Sequence, residues 1–157
     1  KKKLLTKTRT FQPRKIDWQS LNAYKQDIGL LGEHLVMSYE RGKLIELEMF
    51  EFVSQVEHVS TTRGDGLGYD LISFDSKGNQ IFIEVKSTTG SSFGELYFTK
   101  NEYDSMDKLG NAYYLYRVYN LNLQERNYDI EILHGATTVK RELEFQAVTL
   151  KAHKKGD

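Results

Sequence analysis

The chain has 157 residues, 39% of them hydrophobic and 28% charged, and a formal net charge of zero at pH 7. That length suits one domain with a core of its own. The absence of cysteine excludes disulfides and thiolate metal sites, and no apolar run reaches membrane-spanning length and no signal peptide is visible; together these suit a cytoplasmic protein that does not enter a membrane.

Charge is unevenly spread. Residues 1–15 carry seven Lys or Arg and no acid, residues 151–157 carry three Lys and one Asp, and residues 16–150 hold 12 basic against 21 acidic residues. An acidic body thus sits between basic ends. Residues 1–16, polar and without period, read as a flexible lead-in that is either a phosphate-binding arm or a linker. The folded domain is expected over 17–150, with 151–157 as a basic tail. Opening on Lys1 rather than Met, the sequence reads as a piece of a longer protein or a trimmed form.

A helix is predicted from Trp18 to about Glu48, with Ile28, Leu31, Leu35 and Tyr39 as its apolar stripe. Gly29 and Gly32 on that helix cost stability and point to a close neighbour. Val53–Ser60 reads as a short strand and Thr61–Gly68 as a glycine-rich loop; lacking a GK[ST] ending, the loop is no P-loop. Two strands, about Tyr69–Phe74 and Gln80–Ser87, flank the turn Asp75–Asn79, and a further short strand is expected at Leu96–Phe98. Thr99 and Glu102 form a capping box that opens a helix ending at Gly110. Ala112–Tyr119 and Tyr128–Leu133 read as strands, and 137–150 as a last strand or helix. The tyrosines at 113, 114, 116 and 119 fill both sides of a central strand, where Arg117 meets a phosphate or an internal acid. The expected class is a mixed α/β domain around a central sheet.

The strand pair contains three charges where apolar groups are expected. Side chains alternate along a strand, so Ile81, Ile83 and Val85 share one face of the second strand, and Phe82, Glu84 and Lys86 the other. Folding the hairpin about Lys77 sets Ile72 opposite Phe82 and Asp70 opposite Glu84, and leaves Gly68 as open space beside Lys86. Two carboxylates about 5 Å apart repel by about 3 kcal/mol at an effective dielectric of about 20. Either Lys86 acts as a counter-ion or a divalent cation lies between the acids. Mg2+ accepts one or two protein carboxylates and leaves its other positions to water and phosphate. A lysine on the same face can orient water or neutralise developing charge. The place of Glu84-Val-Lys86 on an apolar strand, with Asp70 opposite, favours the metal. Glu33 lies on the flank of the helix stripe and by itself reads as a solvated glutamate. His34, His58, His134 and His153 have no metal-ligand spacing and read as surface or packing residues.

In order, GLLGEHLVMSYER, GDGLGYDLISFD, IFIEVKST, FTKNEY and YYLYRVYNL closely resemble the C-terminal domain family of the plant protein NO VEIN, over roughly residues 27–121. That family resembles the PD-(D/E)XK nuclease superfamily. The resemblance implies a restriction-endonuclease-like core, with a central mixed sheet flanked by helices. It implies a Mg2+-dependent endonuclease that hydrolyses DNA phosphodiester bonds, with Mn2+ able to substitute. Asp70 and Glu84 would be the metal ligands, Lys86 would act on the water, and Glu33 would be the acid of the first motif. An ATPase or helicase-like partner module and a place in restriction or anti-phage defence are implied too. Tyr69 replaces the proline of the superfamily's name. Ser87, Thr88 and Thr89 stand where many members carry a glutamine, which leaves a fourth active-site role unassigned. The alternative is a catalytically inactive module that keeps the fold to dock nucleic acid or a protein.

Overall fold

The computed structural model of the protein describes residues 18–64, 66–125, 127–149 and 152. The basic lead-in and, apart from Ala152, the basic tail lie outside the described residues, as does His153. The chain runs α1 (Trp18–Glu46), α2 (Phe50–Val53), β1 (Glu57–His58), α3 (Val59–Thr62), β2 (Leu71–Phe74), β3 (Gln80–Ser87), α4 (Lys100–Leu109), β4 (Tyr113–Asn122), β5 (Asn127–His134) and α5 (Ala136–Glu142). One five-stranded sheet has the order β1-β2-β3-β4-β5. It is antiparallel except between β3 and β4, which run parallel and are linked through α4.

The mixed α/β class is therefore correct, and so is the hairpin register: Phe74 pairs with Gln80 and Ile72 with Phe82. The turn is built by Asp75, whose Oδ1 accepts from the N–H groups of Lys77 and Asn79, while Gly78 takes φ +82°. The capping box is present in both directions, and Gly110, at φ +55°, ends α4. Of the stretch 137–150, residues up to 149 are helix α5 followed by irregular chain, and Leu150 lies outside the described residues.

Three expectations need correction. Val53–Ser60 is not one strand: α2 and α3 flank a two-residue β1, because Val59 N–H turns to Asp70 O and Arg63 N–H closes a helical turn on Val59 O. Leu96–Phe98 forms no strand. Both edges of β3 are already taken by β2 and β4, and Leu96 and Phe98 instead pack over the sheet against Met106, Tyr113 and Leu115. The buried stripe of α1 is Ile28, Gly32, Val36, Glu40 and Leu44, at a strict spacing of four, whereas Leu31 and Leu35 lie on its flank and Tyr39 is 41% exposed. Glu40 belongs to this stripe although it is charged: the Tyr116 hydroxyl donates to it at 2.5 Å and Lys43 pairs with it.

Helix α1 covers one face of the sheet. Val36 packs there with Leu71, Ile81, Ile83, Val85, Tyr116 and Val118. Helices α4 and α5 cover part of the other face, where Met106 and Val139 meet Tyr113, Leu115 and Leu133. The tyrosines do fill both sides of β4, whereas the acid that Arg117 meets, Glu131 at 3.5 Å, is exposed rather than internal. Gly32 makes the close approach expected of it, since a Cβ there would stand 1.6 Å from Ser87 Oγ; at Gly29 nothing lies within 4 Å.

Candidate active site

Asp70 stands one step beyond the β2–β3 ladder, which ends at Leu71 and Ile83. Its N–H donates to Ile83 O at 2.8 Å, and its Oδ2 accepts from Val85 N–H at 2.8 Å. The carboxylate thus bonds β3 where a backbone carbonyl would otherwise do so, and is locked beside Glu84. Burial raises the Asp70 pKa to about 7, against the opposing Val85 hydrogen bond; the charge of Glu33 adds to the rise and that of Lys86 resists it.

Glu84 is 2% exposed. Its Oε1 lies 2.6 Å from Lys86 Nζ, and its Oε2 is buried with no hydrogen-bond partner among the described residues. Burial and then the charge of Asp70 push its pKa well above the ordinary carboxylate range. The lysine carries two ion pairs, to Glu84 and to Glu102 Oε2, each at 2.6 Å, and its ammonium lies 4.8 Å from the centre of the Phe98 ring. Burial works to lower the Lys86 pKa, but Glu84 and Glu102 outweigh it and the net shift is upward.

Asp70, Glu84 and Glu102 line an open cleft of about 410 Å³, together with Ser60, Gly66, Gly68, Tyr69, Thr99 and Asn101. The structure therefore brings Asp70, Glu84 and Lys86 together. Gly68 does not serve as open space for Lys86. Its φ is +81°, and the space above it is taken by Ser105 and the backbone of Asn101, because α4 closes over the glycine-rich loop. Glu33 is not solvated. It reaches from α1 to the strand edge, where its Oε2 pairs with His58 Nε2 and accepts from the Ser60 hydroxyl at 3.0 Å. His58, expected at the surface or in packing, is 7% exposed, and its Nδ1 also meets the Thr61 hydroxyl at 3.0 Å.

Sequence reasoning missed three participants. Glu102 was legible only as a cap residue, and no local pattern connects it to Lys86. Ser60 belongs to a stretch that reads as a strand end. Tyr113 presents a buried hydroxyl without a partner among the described residues; burial, followed by the charges of Glu84, Glu102 and Asp70, raises its pKa.

Among the described residues no group of three or more His, Cys, Asp or Glu side chains is placed to hold a metal ion. What the site offers is a pair: two carboxylates forced together by the fold, one with a buried, unpartnered oxygen. Hard oxygen donors in that number fit Mg2+, which takes one or two protein carboxylates and fills its other positions with water and phosphate. No described helix is long and apolar enough to cross a membrane.

The family model of the C-terminal region of the protein NO VEIN matches residues 32–130. No curated protein matches the chain. No solved structure matches it either. The matched span contains Glu33, Asp70, Glu84, Lys86 and Glu102, and the chain belongs to the NO VEIN C-terminal family.

Proposed function

We propose that this member of the NO VEIN C-terminal family is a Mg2+-dependent nuclease domain with a restriction-endonuclease-like core, hydrolysing DNA phosphodiester bonds. In this reading it is the effector part of a larger restriction or anti-phage defence protein that works with an ATPase or helicase-like module. The observation that carries the reading is the convergence of Asp70 and Glu84 on one cleft, with Glu84 Oε2 buried and unpartnered. Charges desolvated to this degree without full compensation are a recurrent mark of functional sites.

Asp70 and Glu84 are the residues that would hold Mg2+ or Mn2+. A bound divalent ion supplies Lewis-acid stabilisation of phosphate oxygens and a lowered pKa for coordinated water. The residues of the chain do the rest. Lys86, whose pKa is raised, stays protonated at neutral pH; it suits donation to the attacking water or to developing negative charge, not proton removal. Val85 N–H holds the Asp70 carboxylate in one orientation. Glu33, fixed by His58 and Ser60, adds negative charge beside Asp70 and so strengthens the demand for a cation. An acidic body needs that cation, or the basic ends of the chain, to receive a polyanion.

A second reading has its own support: Lys86 is already paired with two acids, as in a structural salt-bridge cluster, which fits an inactive docking module. Supercoiled plasmid incubated with Mg2+ or Mn2+ decides between them, with the wild type beside Asp70→Ala. Nicked or linear product from the wild type alone supports the nuclease. Intact plasmid in both lanes, with DNA retained by both proteins in a mobility-shift gel, supports the docking module.

A further inference from the structure

We propose that Glu102 is the positioning residue for Lys86, and that the first turn of α4 is the device that holds both halves of the site in place. The catalytic part of this inference rests on the nuclease reading above. Glu102 Oε2 accepts from Lys86 Nζ at 2.6 Å and from Thr99 N–H at 3.1 Å, while Thr99 Oγ1 accepts from Glu102 N–H at 3.2 Å. One carboxylate thus closes the capping box and anchors the ammonium. The same helix grips the loop that delivers Asp70: from its first turn Asn101 Nδ2 donates to Gly66 O at 2.6 Å, and from the next turn Ser105 Oγ donates to Leu67 O at 3.1 Å.

The geometry gives Glu102 a task that Glu84 cannot perform alone. A cation drawing on Glu84 competes with Lys86 for one carboxylate, and a lysine tied only there would lose its anchor. Glu102 holds the ammonium from a different element, and the Phe98 ring borders it at 4.8 Å. Two functions of one side chain can be separated here, because a capping box accepts Glu or Gln at this position whereas an ion pair requires the charge.

The test uses wild type, Glu102→Gln, Thr99→Ala, Lys86→Met and the double variant Glu102→Gln/Lys86→Met. Metal-free thermal melts come first. Glu102→Gln is expected to lower Tm when Lys86 is present and to have no such effect beside Lys86→Met. An equal effect in both backgrounds overturns the pair, whether or not the protein cleaves DNA. Should Lys86→Met not fold, hydrogen exchange of the Lys86 ammonium by NMR replaces the cycle; it is expected to be slow in wild type and Thr99→Ala and faster in Glu102→Gln, and equal rates overturn the pair. In plasmid cleavage, Glu102→Gln is expected to lower kcat about 10- to 100-fold at nearly unchanged KM, the mark of misplaced chemistry rather than lost binding. Thr99→Ala, which removes one cap hydrogen bond but keeps the Thr99 N–H bond to Glu102 Oε2 and the ion pair, should lower Tm and lower kcat by clearly less than Glu102→Gln does. Equal losses of kcat in Thr99→Ala and Glu102→Gln would show that Glu102 acts only through the helix cap, and would overturn the proposal. A coupled pair in a wild type that does not cleave overturns the nuclease reading and the catalytic role of Glu102 with it, while the ion pair stands.

Discussion

The two faces of β3 are made by one eight-residue strand and have opposite energetics. On the face under α1, Ile81, Ile83 and Val85 meet Val36, Tyr116 and Val118, and each apolar side chain removed from water stabilises the fold. On the other face Phe82 is followed by Glu84 and Lys86, and burial there works against the charged forms. The apolar face supplies the stability that lets the charged face be held in a strained electrostatic state. A bound cation would relieve that strain; under the proposed function, the second face serves a ligand and the first the fold.

The comparison can be broken most forcefully from the apolar side. Ile83 is fully buried, and Ile83→Ala is expected to destabilise the domain by about 2–5 kcal/mol, seen as a lower urea midpoint at unchanged m-value. A loss under about 1 kcal/mol would mean that this face does not carry the fold.

From the charged side the expected sign reverses. Asp70→Asn should abolish cleavage and Mn2+ binding by calorimetry, yet raise the metal-free Tm at pH 8 by removing a desolvated charge, with a gain of about 1–3 kcal/mol. Unchanged Mn2+ binding would remove Asp70 from the metal site.

The pH profile sharpens the same contrast. The Asp70 carboxyl has a folded pKa of about 7 against an ordinary 3.8, and Glu84 is shifted in the same direction. A carboxyl whose pKa is raised by folding binds its proton more tightly in the folded state. Its stabilising contribution is complete below about pH 4 and is lost as pH rises through about 7. The metal-free domain should therefore melt higher at pH 5 than at pH 8, with Mg2+ recovering part of the loss at pH 8. Asp75, held below the usual carboxylate range by its hydrogen bonds to Asn79, opposes this trend only toward the acid end. A flat profile between pH 5 and 8 would contradict the desolvated acid pair.

The smallest effects concern the two glycines of α1. Gly32→Ala drives a methyl into Ser87 and should cost about 1–3 kcal/mol. Gly29→Ala meets nothing within 4 Å and should gain up to about 1 kcal/mol from helix propensity. Melting curves of the two variants are expected to move in opposite directions.

Much of this could be read without coordinates. Alternation along a strand has a period of two, so the split between Ile81, Ile83 and Val85 on one face and Glu84 and Lys86 on the other follows from local geometry. The turn at Asp75–Asn79 and the capping box of Thr99 and Glu102 depend on residues within four positions of each other, which made the hairpin register and the start of α4 legible as well. The strand expected at Leu96–Phe98 failed for a reason no window of sequence contains: its apolar side chains are taken up by packing with Met106, Tyr113 and Leu115 over the sheet. Tertiary structure alone decided that Glu33 pairs with His58 across 25 positions and that Lys86 divides its ammonium between Glu84 and Glu102. Those contacts depend on where α1 and α4 settle on the sheet, and that placement comes from packing summed over each whole helix, which no single motif encodes.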